Sequence, residues 1–190
     1  MRSRNHLHRA RLGCVSDSLA FTIRDEQASD ALPIRRVIER AFGQRSEADL
    51  VDALRRGDAL TVSMVAEAGG EIVGHIAFSP VTIRAGDATH EALGLAPLAV
   101  IPEQQRRGIG AALVRAGLDA GRARGHRVAV LVGDPAYYQR FGFATASGFG
   151  LECAIPVPVE VFLVAELSPG ALAGCSGVVS YRPEFDAVSE

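Results

Sequence analysis

Residues 93 to 132 contain LGLAPLAV, the loop IPEQQRRGIG, a helical stretch and VAVLV in succession. Ile109, Ala112, Leu113, Ala116 and Ala120 share one face of the helical stretch, 108–124, and that face is small as well as apolar. The runs on either side read as strands, the second with no polar residue at all. Strand, crossover helix and strand make a βαβ unit, which obliges two strands to lie parallel in one sheet. The small helix face lets the helix lie close against that sheet.

Turns suited to antiparallel neighbours surround this unit. FTIR at 21–24 alternates like a short strand, and Ile34, Val37, Ile38 and Ala41 recur at helical spacing up to the stop at Gly43. Ser46, with Asp49 three residues on, is expected to cap a second helix carrying Leu50, Ala53 and Leu54 and ending near Gly57. LTVSMVAE at 60–67 and EIVGHIAFS at 71–79 read as a hairpin across Ala68, Gly69 and Gly70. Pro80 should interrupt it, with VTIR at 81–84 extending or resuming the strand. Pro97 cannot donate a ladder hydrogen bond, so its strand is expected to lie at an edge, bulge or part from a neighbour. Gly133, Asp134 and Pro135 turn the chain into a short helix, AYYQRF, and VEVFLVAEL at 159–167 is expected as the last strand. The order β, α, α, β, β, β, α, β, α, β predicts an α/β chain with a mixed, mostly antiparallel sheet, helices on both faces, and one domain over 21–190.

Composition removes several classes of function. All 20 basic residues are arginine, which excludes a Walker A lysine and a Schiff-base lysine. A net charge of -2 with scattered arginines gives no field for nucleic acid, so no nucleic-acid partner is expected. Cys14, Cys153 and Cys175 form no CxxC pair and the five histidines no HExxH, so neither a disulfide framework nor a metal is expected, and a reducing cytoplasm is. Arg2, Arg4, Arg9 and Arg11, with Asp17 as the only acid, mark the first 20 residues as a disordered tail. No stretch is apolar for long enough to cross a bilayer, so no membrane partner is expected.

Glycines opening a helix let backbone N–H groups approach an anion, and the helix dipole adds partial positive charge. Gln105, Arg106, Arg107, Gly108, Ile109, Gly110 and Ala111 would therefore cradle phosphate. A dinucleotide fold is the rival, with Asp134 as a possible ribose ligand. It is disfavoured because Leu113 stands where GxGxxG needs its third glycine and because the motif does not follow the first strand.

Gln105, Gly108 and Gly110 match the Gln/Arg-x-x-Gly-x-Gly/Ala signature of the GNAT acyltransferases, and Tyr138, Gly142 and Phe143 match that family's Tyr-x-x-x-Gly-Phe segment. Over about residues 21 to 185 the chain resembles this family and, within it, the YhbS-like subgroup of acetyltransferases. The resemblance implies the GNAT fold, with acetyl-coenzyme A as cosubstrate between splayed strands at 95–100 and 128–132, and it gives Pro97 a role in the parting. It also implies that the backbone of Leu98, Ala99 and Val100 pairs with pantetheine, that an N–H near Leu98 or Ala99 meets the developing oxyanion, and that Tyr138 is the general acid. Adjacent Tyr137 is expected in the core. The implied reaction is N-acetylation of a primary amine on a small molecule or protein, with Glu91, His90 or His75 as base and loop 43–47 selecting the acceptor. A homodimer is compatible with this reading. The alternatives are a non-catalytic coenzyme A sensor or partner-binding module and, more distantly, a nucleotide-dependent oxidoreductase.

Overall fold

A computed structural model describes residues 20–188. Apart from Ala20, the tail expected to be disordered lies outside the described residues.

Strand β1 (Phe21–Asp25) leads to helices α1 (Ala31–Phe42) and α2 (Ser46–Arg56), then to the meander β2 (Val62–Ala68), β3 (Glu71–Ala85) and β4 (Ala88–Val100). Helix α3 (Ile109–Ala123) crosses to β5 (Val128–Val132), and the short α4 (Pro135–Tyr138), β6 (Ala144–Thr145), β7 (Leu151–Cys153), β8 (Phe162–Glu166) and β9 (Gly177–Ser180) follow. All nine strands join one sheet in the order β1-β2-β3-β4-β5-β8-β6, with β9 paired to both β3 and β7. Only β4–β5 and β7–β9 are parallel. The expected mixed, mostly antiparallel sheet is what forms.

Alternation along β3 shows how helices cover both faces. A Cβ on Gly74 would lie 3.0 Å from Leu113 and 3.2 Å from Ile109, so this face carries α3. Next to it, His75 points the other way, to Ser63 and Glu26, and Glu26 holds Arg55 of α2. Ile34, Val37 and Ile38 of α1, Leu113 and Val114 of α3, and Ile76, Phe78 and Leu93 of the sheet make the main core.

Three local expectations are corrected. Ser46 does not cap α2: it is the helix's first residue, its hydroxyl donates to Glu47, and Asp49 is drawn instead to Arg35 of α1 at 2.6 Å. Pro80 does not interrupt β3. Phe78 O accepts from Thr61 N on the β2 side, so the Pro80 nitrogen two residues on faces the same side, past the last β2 partner, where no ladder bond is lost. The run 159–167 is neither wholly strand nor last, because residues 159–161 form a 3-10 turn before β8, and β9 comes later.

The structural consequence of Pro97 lies in β4. Ile76 pairs with Leu98 but Phe78 pairs with Leu95, so β4 bulges by one residue around Ala96 and Pro97. On its other edge β4 meets β5 only at Leu93↔Ala129 and Gly94↔Val130. Beyond Gly94 the two strands part, while β5 stays paired to β8 along its whole length.

Candidate active site

The parting of β4 from β5 frees a strip of backbone whose orientation follows from its neighbours. Ile101 N donates to Val73 O at 3.0 Å, toward β3. By alternation Ala99 also faces β3, consistent with its carbonyl lying 3.2 Å from a Cβ built on Gly74. Leu98 and Val100 therefore turn their N–H and C=O groups to the open side, where Val100 O accepts a 3.0 Å bond from the Gln105 side chain. Of the three residues expected to offer backbone to pantetheine, Leu98 and Val100 are placed to do so. Ala99 is a correction: the β3 ladder takes its backbone, and its side chain is buried.

The strip runs into the loop before α3. Arg106 and Gly108 both have positive φ, 59° and 86°, an alternation that turns successive N–H groups toward a common centre. Ala112 N makes the first bond inside α3, to Gly108 O, and no side chain caps the helix, which leaves the N–H groups of Ile109, Gly110 and Ala111 unpaired within the helix. A Cβ at Gly108 would meet nothing within 4 Å, so the space before these donors is open. Leu98, Val100, Gln105, Arg106, Gly108, Gly110 and Ala111 line a cleft of about 520 Å3, closed on its far side by Tyr137 and Arg140.

Two expected ligands behave differently. Arg107 does not line the cleft, and the Ile109 side chain is buried in the core, so Ile109 contributes only backbone. Arg140, not anticipated, does line it; its guanidinium sits 4.6 Å from the centre of the Tyr137 ring, and its Nε donates to Tyr137 O at 2.8 Å. Its spacing three residues after Tyr137 was the available signal. Gly110 matters for a second reason: a Cβ there would come within 2.9 Å of the Tyr137 hydroxyl.

Leu98 also lines a second cleft of about 480 Å3 on the other side of the strip, together with Pro97, Val132, Tyr138 and the α2 residue Glu47. Tyr138 packs edge-on to Tyr137 and Phe143. Burial, helped by the neighbouring Tyr137 phenol, pushes the Tyr138 pKa up to about 12. Tyr137 is not in the core as expected; each tyrosine stands in its own cleft.

None of the three expected bases reaches either cleft. His90 and Glu91 are exposed and pair with Ile83 and Thr82 near the start of β4, about 26 and 23 Å of strand from Leu98. His75 is fully buried, bonded to Ser63 Oγ at 2.9 Å, and held neutral with a pKa lowered to about 3 by burial and by Arg55.

A sheet whose parallel strands part beside an uncapped, glycine-opened helix is the architecture of acyl-coenzyme A transferases, and comparison with known proteins agrees. Residues 22–146 match the acetyltransferase (GNAT) domain family, and the chain belongs to it. Among its relatives, the uncharacterized N-acetyltransferase YhbS of Escherichia coli K12 is 38% identical over 165 residues, 86% of this chain and 98% of that protein. The crystal structure of YhbS from Escherichia coli with coenzyme A superposes with a TM-score of 0.84 at 36% identity, covering 96% of each chain. A GNAT acetyltransferase of Brucella melitensis, solved with acetyl-coenzyme A, gives 0.73 at 39% identity, covering 88% of this chain and 99% of that one.

Proposed function

We propose that this chain binds acetyl-coenzyme A along the open strip and transfers the acetyl group directly to a primary amine entering from the second cleft. The observation that carries the proposal is backbone turned to one cleft: the outward-facing Leu98 and the Val100 N–H on the parted strand, then the amides at the start of α3 that are unpaired within the helix. The residues present suit the cosubstrate. A diphosphate needs converging donors and no side chain in its way, which Gly108, Gly110 and Ala111 supply, with Arg106 and Arg140 as charged partners.

When bound, the cosubstrate supplies an activated acyl carbon as a thioester. The Leu98 N–H, turned away from β3, is free to meet negative charge building on the acyl oxygen. Tyr138 keeps its proton at any working pH, because burial opposes the phenolate. Handing that proton outright to a thiolate of ordinary pKa would run uphill by roughly three orders of magnitude. Tyr138 therefore acts by hydrogen-bonding the sulfur as it departs; the amine attacks in its neutral form, its ammonium proton having passed to solvent, and the second proton it sheds in becoming an amide goes to the thiolate. We assign the reaction to the cytoplasm, where the free Cys153 and Cys175 would remain reduced.

Release of free coenzyme A across a panel of amines tests this reading. Turnover is expected with at least one amine, and Tyr138→Phe should lower kcat by about 100-fold while leaving acetyl-coenzyme A binding intact. Tight binding without turnover on any amine, together with no effect of Tyr138→Phe, would establish a non-catalytic coenzyme A module instead.

A further inference from the structure

The second cleft is specific about charge. Its walls are mostly hydrocarbon and aromatic, with Phe42, Tyr138, Tyr181 and Phe185 contributing rings. Among the described lining residues there is no arginine and no histidine, and Glu47 is the only carboxylate. Its oxygens accept from Gln44 Nε2 at 2.8 Å and Ser46 Oγ at 3.0 Å, neither of which carries charge. Among the described residues no guanidinium pairs with it, whereas Asp49 and Asp52 on the same helix both hold Arg35. One uncompensated negative charge therefore borders an apolar cavity. It attracts a single cation and repels an anion, and its apolar neighbours screen it less than bulk water would.

The rings along the wall point to the same guest, because aromatic faces suit an ammonium or an aromatic body. An amino acid or a phosphorylated amine would bring an anion for which the wall holds no counter-charge. A polyamine would bury cations beyond the one Glu47 can match, and a hydroxyl-rich aminosugar would leave most of its polar groups unpaired.

We infer that the acceptor is a monocationic primary amine on an apolar, preferentially aromatic, body, and that Glu47 receives its ammonium group. This rests on the acetyl-transfer reading above. Coenzyme A release is measured with 2-phenylethylamine, n-hexylamine, spermidine and β-alanine, alongside thermal shift by acetyl-coenzyme A alone. The apolar amines are expected to exceed spermidine and β-alanine in kcat/KM by at least 100-fold. Glu47→Gln should raise the KM for 2-phenylethylamine at least 10-fold, Glu47→Asp should restore part of it, and neither should change the acetyl-coenzyme A shift. Equal or greater kcat/KM with spermidine or β-alanine, or an unchanged KM in Glu47→Gln, would overturn the inference and leave acetyl transfer standing. Failure of acetyl-coenzyme A to bind would remove both.

Discussion

Valine in place of Gly108 separates the strain of the backbone from the loss of a ligand. Gly108 has φ of +86°, and a Cβ there meets no protein atom within 4 Å. The folded chain therefore loses about 1–2 kcal/mol from the left-handed backbone alone, and for a chain of this size the Tm falls by roughly 2–8 °C. The added methyl groups enter the open space in front of the α3 amides. Acetyl-coenzyme A at 100 times its Kd should stabilise the parent by about 2.7 kcal/mol, roughly 5–11 °C. Losing one charge-assisted hydrogen bond to phosphate, about 1.5–3 kcal/mol, weakens binding roughly 10- to 150-fold and cuts that shift to about half or less. Gly86→Val is the control: Gly86 also has positive φ, +59°, and open surroundings, but it sits in the β3–β4 turn, far from the cleft. Differential scanning fluorimetry with and without acetyl-coenzyme A should show both variants less stable than the parent, with the ligand shift cut to about half or less only in Gly108→Val. A full shift in folded Gly108→Val, or loss of the shift in Gly86→Val, would refute the reasoning.

A Cβ on Gly117 would lie 2.4 Å from the fully buried Phe78 ring. Gly117→Ala should cost about 1–3 kcal/mol of overpacking, offset by about 1 kcal/mol of helix propensity, a net loss of up to about 2 kcal/mol; a raised Tm would contradict the packing of α3. Arg140→Ala should raise the acetyl-coenzyme A Kd by roughly 3- to 10-fold and flatten its salt dependence, and calorimetry at two ionic strengths would show neither change if Arg140 only covers Tyr137. His75 is neutral in the fold with a pKa lowered to about 3, because burial and Arg55 outweigh the Glu26 carboxylate 3.9 Å away. The unfolded chain gains that proton near pH 6.5, so stability present above 6.5 is lost as pH falls toward 3, by about 1.4 kcal/mol per unit. Denaturant titrations between pH 7 and 5 should show this slope in the parent and a shallower one in His75→Gln, and equal slopes would sink the assignment.

The parts legible in the sequence were those set by local pattern. α1, α3 and β5 follow from periodicities complete within each segment, and Gly43 ends α1 at φ +72° as its position implies. The glycine-opened, uncapped start of α3 was legible because the residues that make it are consecutive. What depends on long-range register was not. Only the pairing of β4 with β3 decides that Leu98 rather than Ala99 turns its N–H to the cleft, and the bulge at Pro97 sets the phase. β9 is four residues long and is placed on β3 by Gly177, where a Cβ would come within 2.0 Å of Arg84 O; nothing in GVVS alone announces that contact. The proposed bases fell for a related reason. His90 and Glu91 are near the motif in sequence, but an extended strand carries them away from it.

The central claim is that the amides opening α3 hold the diphosphate of coenzyme A. A crystal structure of this chain with acetyl-coenzyme A tests it most directly. Diphosphate oxygens are expected about 2.7–3.2 Å from backbone nitrogens between Gly108 and Ala111, with pantetheine alongside Leu98 and Val100. A diphosphate bound away from this helix start, with the Gly108 to Ala111 amides still facing solvent, would contradict it.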